Sequence, residues 1–138
     1  MRPSEVFLSH SDKDRAFATK IRDCLVEHDI PVWYSRTSIV GARQWHDEIG
    51  SALSRCEAFV VILSPASVES KWVKRELLFA LQADRYENNL VPLLYKPCEY
   101  SKLSWTLPQF GFVDFLKDYQ RGCQELLRIW GIRYREDS

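Results

Sequence analysis

Phe59-Val60-Val61-Ile62-Leu63 is an unbroken apolar run, mostly β-branched, and Ser64-Pro65 closes it. With no polar residue alternating along it, the run fits a strand covered on both faces, the place of a central strand in a parallel sheet. Similar runs recur on either side. Upstream, Val6-Phe7-Leu8 ends in polar Ser9-His10-Ser11, and Val32-Trp33-Tyr34 follows the turn Asp29-Ile30-Pro31. Downstream, Leu90 to Tyr95 reads as a fourth strand, and Pro92, which donates no ladder hydrogen bond, places it nearer an edge. Val113-Asp114-Phe115 reads as a short fifth.

Helical periodicity fills the intervals. Ser11-Asp12-Lys13-Asp14 opens a helix to about His28, with Ser11 and Asp12 as capping candidates and Phe17, Ile21, Cys24 and Leu25 on one face. A polar loop, Ser35 to Arg43 with Gly41, precedes a helix whose apolar face holds Trp45, Ile49, Leu53 and Cys56. Ser70 caps a helix from Lys71 to about Arg85, with Val73, Leu77, Ala80 and Leu81 as its stripe. Residues 96–112 are irregular, and a last helix from about Lys117 to Trp130 turns Tyr119, Cys123, Leu126, Leu127 and Trp130 inward. Strands alternating with helices through short connections imply right-handed parallel βαβ units. The expected fold is one α/β domain over residues 1–138, a flavodoxin-like open doubly wound sheet with helices on both faces. Ligands of such sheets sit beyond the carboxyl ends of the strands. Those ends are Ser9-His10, Tyr34-Ser35, Ser64-Pro65 and Tyr95-Lys96.

The composition narrows the function classes. A formal net charge of zero argues against a general nucleic-acid binder, which carries a basic excess. The four cysteines, at 24, 56, 98 and 123, form no CxxC pair and read as free thiols of a reducing compartment. His10, His28 and His46 make no metal-binding pattern, so no metal is expected. The longest apolar run is far too short to span a membrane, and the N-terminus shows no signal peptide. A cytoplasmic protein without membrane contact is expected. The five glycines form neither GxGxxG nor a phosphate-binding loop, so a bound dinucleotide would be a consumed substrate and not a retained cofactor.

The segment with chemical promise is Ser70-Lys71-Trp72-Val73-Lys74-Arg75-Glu76-Leu77. On a helix Trp72 and Glu76 lie one turn apart on the same side. At about 100° per residue, Glu76 falls roughly 60° from Val73, beside the core stripe, and is expected to be half buried. A carboxylate so placed, next to an aromatic ring, suits stabilising positive charge in a transition state. Cleavage of an N-glycosidic bond develops an oxocarbenium-like ribosyl cation of that kind. The plainer reading has Glu76 paired with a neighbouring Lys or Arg and Trp72 as core.

Together these residues resemble the Toll/interleukin-1 receptor (TIR) domain family, particularly its bacterial members. Val6 to Asp14 resembles the first family box. Ile30-Pro31-Val32-Trp33-Tyr34 and the loop with Gly41 resemble the second. Ile49-Gly50-Ser51-Ala52-Leu53, Val60 to Pro65 and Ser70 to Leu81 continue the pattern, and Phe112-Val113-Asp114-Phe115 is similar to a weak third box. The likeness covers about residues 4–130.

The resemblance implies a five-stranded parallel sheet and, for many members, hydrolysis or cyclisation of NAD⁺ with release of nicotinamide. It makes Glu76 the catalytic carboxylate and stacks Trp72 on the substrate. It puts Phe7, Leu8, Ser9 and His10, with Tyr34, Ser35 and Arg36, around the substrate. It assigns Ile39, Val40, Gly41, Ala42 and Arg43 to a loop, the BB loop, that completes a neighbour's site on self-association. It leaves room for a fused or separate sensor domain, of which this chain would be an excised partner. Two positions depart from the family pattern. Ser35 and Ala42 stand where acidic residues are common, a difference expected to bear on substrate placement, product or assembly. The classes to separate are an NAD⁺ glycohydrolase or cyclase, linear or cyclic in product, a non-enzymatic signalling adaptor, and a deoxyribosyltransferase-like enzyme acting on nucleosides.

Overall fold

The computed structural model describes residues 2–34 and 42–135, with side chains from residue 47 onward in the second stretch. Five strands, β1 (Val6–Ser9), β2 (Val32–Tyr34), β3 (Ala58–Leu63), β4 (Leu90–Leu94) and β5 (Val113–Asp114), form one sheet in the order β2-β1-β3-β4-β5. Every pairing is parallel, with Val6 opposite Val32 and Ala58, and Phe59 opposite Leu90. The helices are α1 (Arg15–Glu27), α2 (Ala42–Arg55), α3 (Pro65–Val68), α4 (Lys71–Gln82) and α5 (Tyr119–Ile129). This is the five-stranded flavodoxin-like layout read from the strand-helix alternation.

Strand alternation divides the core between two layers. Val6, Leu8, Val60 and Ile62 face one side and pack with Phe17, Ile21, Leu126 and Leu127 of α1 and α5. Phe7, Phe59, Val61 and Leu63 face the other and pack with Ile49, Leu53, Val73 and Leu77 of α2 and α4. All six residues of β3 are fully buried, as an apolar run without alternation demands. Each large side chain so buried stabilises the fold by about 1.5–3 kcal/mol before chain entropy is set against it. At Pro92, β4 has a strand on one side only, because β5 pairs just with Leu93 and Leu94. The proline is therefore tolerated in the fourth strand of five.

Helix ends follow local chemistry where a cap is present. Ser70 accepts from the Val73 N–H at 3.2 Å and starts α4, as expected. Asp118 accepts from the Gln120 N–H at 3.0 Å and starts α5. Ser11 caps a 3₁₀ turn, Asp12–Asp14, before α1 begins. The structure differs from the sequence reading at three places. α4 stops at Gln82 and not near Arg85, because Tyr86 turns into the core. Its side chain is fully buried, its ring meets Phe59 edge-on, and its hydroxyl donates 2.7 Å to the Leu53 carbonyl. α3 was not expected: Pro65 sits in its first turn, and Ser64 and Ser67 satisfy each other's backbone N–H groups reciprocally. Ala42 and Arg43, expected in the loop, are the first residues of α2.

Candidate active site

The topological switch of this sheet lies between β1 and β3, where the chain's connections depart in opposite directions, and there a doubly wound sheet opens a crevice. A cavity of about 860 Å³ occupies the position, lined by residues 11–14 after β1, 64–66 after β3, 69–72 at the start of α4, and Lys96 after β4. Its charges are mixed, with Lys13, Lys71 and Lys96 beside Asp12, Asp14 and Glu69. Asp14 is buried, and the Ser64 hydroxyl donates to its Oδ2 while accepting the Ser67 N–H at 3.0 Å. This bond ties the β1–α1 connection to the end of β3, so the two walls of the crevice are fastened together.

Glu76 lies one turn beyond Trp72. It is 3 % exposed, a correction to the half-buried position expected from helical phase. The side chain reaches β1, where the Ser9 hydroxyl donates 2.7 Å to Oε1. Its Oε2 has no partner among the described residues. Burial pushes the carboxyl up to about 7, and the Ser9 hydrogen bond works against that rise. No ion pair among the described residues engages Glu76, so its pairing with a neighbouring Lys or Arg is not what the fold uses. Trp72 lines the cavity; Glu76 is not part of that lining.

His10 follows Ser9 and is 5 % exposed, with neither ring nitrogen hydrogen-bonded among the described residues. Burial, and then the Arg15 charge, lower its pKa, which favours the neutral imidazole. Its ring lies 5.3 Å from that of Tyr34. Among the described residues four buried side-chain atoms lack a partner, and three of them belong to His10 and Glu76. Unpartnered buried polar atoms are rare and call for a ligand, a water or a functional cause. Here they collect at the carboxyl end of β1, where the fold predicts a ligand.

The remaining residues expected at the site divide. Phe7 and Leu8 are fully buried in opposite core layers and do not reach the cavity. Tyr34 turns toward α1: its hydroxyl accepts from Arg22 Nη1 at 3.2 Å, and the Arg15 guanidinium lies 5.5 Å from its ring. Ser35, Arg36, Ile39, Val40 and Gly41 lie outside the described residues. Sequence reading missed Asp14. The signal that was available, the carboxyl ends of strands, pointed to Ser64 and Lys96 without showing that Ser64 would hold a carboxylate. No group of three or more His, Cys, Asp or Glu among the described residues is arranged to hold a metal ion. No helix among them is long and apolar enough to cross a membrane.

Trp72 gives the cavity an aromatic wall, while the Glu76 carboxyl and the His10 imidazole lie buried outside its lining, at the carboxyl end of β1; a buried carboxyl is a group able to stabilise developing positive charge. The family model for the TIR domain matches residues 6–127. The chain belongs to the TIR domain family. Two solved TIR structures share its fold. One is the TIR domain of the Toll-related receptor TRR-2 from Hydra magnipapillata, with TM-score 0.66, 18% identity, and 91% of this chain and 90% of that one covered. The other is the TIR domains of the activated Roq1 resistosome that directly recognises the pathogen effector XopQ, with TM-score 0.68, 17% identity, and coverage of 91% and 98%. A Stimulator of interferon genes protein from Magallana gigas is 24% identical over 117 residues, which are 83% of this TIR chain. The chain spans 28% of the length of that curated relative.

Proposed function

We propose that this TIR domain is a bacterial-type NAD⁺ nucleosidase. It cleaves the bond between nicotinamide and ribose and leaves ADP-ribose or a cyclic isomer. NAD⁺ is substrate, and no metal or retained cofactor takes part. The observation that carries the reading is Glu76: a buried carboxyl with one oxygen oriented by Ser9 and the other without a partner among the described residues.

Nicotinamide leaves as a neutral molecule, so the leaving group needs little acid help. The demand falls on the ribosyl cation, which an ionised Glu76 would stabilise in a water-poor site. A carboxyl with a pKa of about 7 is divided between its two forms near neutrality. A cationic pyridinium nearby favours the ionised form. Trp72 offers an aromatic face to the cavity for stacking, and His10 offers one donor and one acceptor to ribose hydroxyls. Self-association through the loop around Gly41 completes the site, and the domain acts as an immune effector in antiviral defence, under a fused or separate sensor.

The test is nicotinamide release from NAD⁺ by the chain under forced oligomerisation, with linear and cyclic products separated. Activity is expected to fall by about two orders of magnitude or more in Glu76→Ala. Unchanged release in that variant removes Glu76 from the reaction. A second reading, a non-enzymatic adaptor binding other TIR domains, is favoured by the absence of Glu76 from the cavity lining. Association with a TIR partner, with no nicotinamide release in any assembled state, would decide for it.

A further inference from the structure

Helix α1 ends at His28, and the chain returns to that end 107 residues later. The His28 N–H bonds the Leu25 carbonyl at 3.0 Å, which leaves the Cys24 carbonyl, its ordinary helical partner, to another donor. The His28 ring turns back and takes it, with Nδ1 2.7 Å from that oxygen. Nε2 lies 2.8 Å from the backbone nitrogen of Arg135, and the residue is 2 % exposed. A carbonyl only accepts and a backbone N–H only donates, so Nδ1 carries the proton and Nε2 carries none. The geometry selects one tautomer of the neutral imidazole and uses both nitrogens.

The segment that brings Arg135 there is aimed by the end of α5. Gly131, at φ 71°, and Ile132 return their N–H groups to the Arg128 and Leu127 carbonyls at 2.9 and 3.0 Å, a left-handed helix stop that turns the chain toward α1. Ile132 and Tyr134 pack on the core layer that α1 and α5 share, and the Tyr134 ring stacks on His28 at 5.6 Å. The Arg135 guanidinium donates to the Glu27 carbonyl and lies 3.8 Å from Asp29. With side chains 63 % and 76 % exposed, that ion pair contributes little. Residues 132–135 form a strap over the end of α1, and the buried imidazole is its central fastening.

We infer that His28 is a proton-operated latch: the neutral ring holds the strap on α1, and protonation at Nε2 releases it. A proton there turns the acceptor into a donor aimed at the Arg135 N–H, so a hydrogen bond is replaced by two opposed donors. The titratable and charged groups around the ring are Cys24, Glu27 and Asp29 on the α1 side and Tyr134 and Arg135 on the strap. The helix end and the two carboxylates can accommodate an imidazolium. Arg135 meets it with a donor from its backbone and like charge from its side chain. The ring therefore stays on α1, through the Nδ1 bond it keeps in both states, and the strap is the side that yields. Histidine is the side chain that changes charge between about pH 5 and 8, so the strap is fastened at the upper end of that range and released at the lower. Helix α1 runs back toward the amino ends of the strands, which puts the latch at the opposite edge of the sheet from the crevice. It is independent of chemistry at Glu76.

The experiment is nitrogen-15 NMR of the whole chain from about pH 8 to about pH 5. At the upper end, Nδ1 of His28 is expected to be protonated and Nε2 bare, with the amides of Tyr134 and Arg135 as rigid as those of the helices. As pH falls, these two amides are expected to gain fast motion in step with protonation of Nε2, the ratio of fastened to released strap dropping about tenfold or more. His28→Gln, whose amide donates and accepts without titrating, is expected to hold the strap throughout. Arg135→Ala keeps the backbone N–H and is expected to keep the transition, as is Glu76→Gln, whose change lies in the other layer. Arg135→Pro lacks that N–H and is expected to release the strap at every pH. The inference is overturned if the tautomer at the upper end is Nε2–H, or if the strap amides stay rigid once His28 is charged. A folded His28→Gln with an unchanged transition also overturns it. Should that variant not fold, a strap in Arg135→Pro as rigid as in Arg135→Ala does the same.

Discussion

Ser9 and Glu76, 67 residues apart, meet through a 2.7 Å hydrogen bond from the serine hydroxyl to Oε1. The bond joins the carboxyl end of β1 to the second turn of α4 and is the one partner the buried carboxyl has among the described residues. It fixes which oxygen is held and leaves Oε2 available. The same contact orients the carboxyl and opposes the rise in proton affinity that burial causes.

Replacing Ser9 by Ala removes a donor that favours the ionised form. The Glu76 pKa is expected to rise above about 7. The pH dependence of kcat/KM for nicotinamide release is then expected to move to higher pH by a comparable amount, with Glu76→Gln lacking that titration. A pH profile left in place by Ser9→Ala would mean that another group controls it.

Glu76 also sets a pH dependence of stability. Its folded pKa is raised from 4.5 to about 7, so the native state holds the proton more tightly than the unfolded chain. Its contribution is fully present below the unfolded value and is lost as pH rises from about 4.5 through about 7. The loss is about 3 kcal/mol from this group. Glu76→Gln is expected to flatten that part of the curve and to be more stable than the unmodified chain at pH 8. Urea denaturation across the range tests it; identical slopes for the two proteins would refute the shift.

Ser64→Ala leaves the buried Asp14 carboxyl without its serine donor and removes the cap of α3. A loss of about 1–3 kcal/mol is expected from the first effect and about 1 kcal/mol from the second. Asp14→Asn keeps an acceptor for the same hydroxyl and is expected to cost less. Chemical denaturation of both variants separates the two effects, and equal losses would argue against an ionic role for Asp14.

Gly122, in α5, lies under the Phe115 ring, and a Cβ built there would come within 2.5 Å of two ring carbons. Alanine ordinarily stabilises a helix interior by up to about 1 kcal/mol relative to glycine. Here the clash decides the sign, because the ring is pinned edge-on against Phe17. Gly122→Ala is expected to destabilise by about 1–3 kcal/mol, and Phe115→Leu in the same chain to return part of it. A melting temperature raised by Gly122→Ala would show that the ring moves freely.

Much of the molecule could be read before any coordinate was known. The run Phe59 to Leu63 gave a central parallel strand, and the cap Ser70 marked a helix start, because strand and helix periods are local properties of the backbone. Trp72 and Glu76 share one side of α4 for the same reason. The phase of Glu76 was legible, but its depth was not: helical spacing gives a direction, and burial depends on which neighbouring element closes over the side chain. β1 closed over it and supplied Ser9.

What the sequence alone determined, then, is the strand-helix order, the parallel sheet, and a carboxylate and an aromatic ring on one side of a helix that starts near the carboxyl ends of the strands. The tertiary structure decided the rest. It paired Ser9 with Glu76 and Asp14 with Ser64, ended α4 at Gln82 so that Tyr86 could enter the core, and left the His10 ring buried with no hydrogen-bond partner among the described residues. These depend on contacts between residues far apart in the chain, whose geometry is set by how the layers pack, and no spacing along a sequence encodes a packing distance.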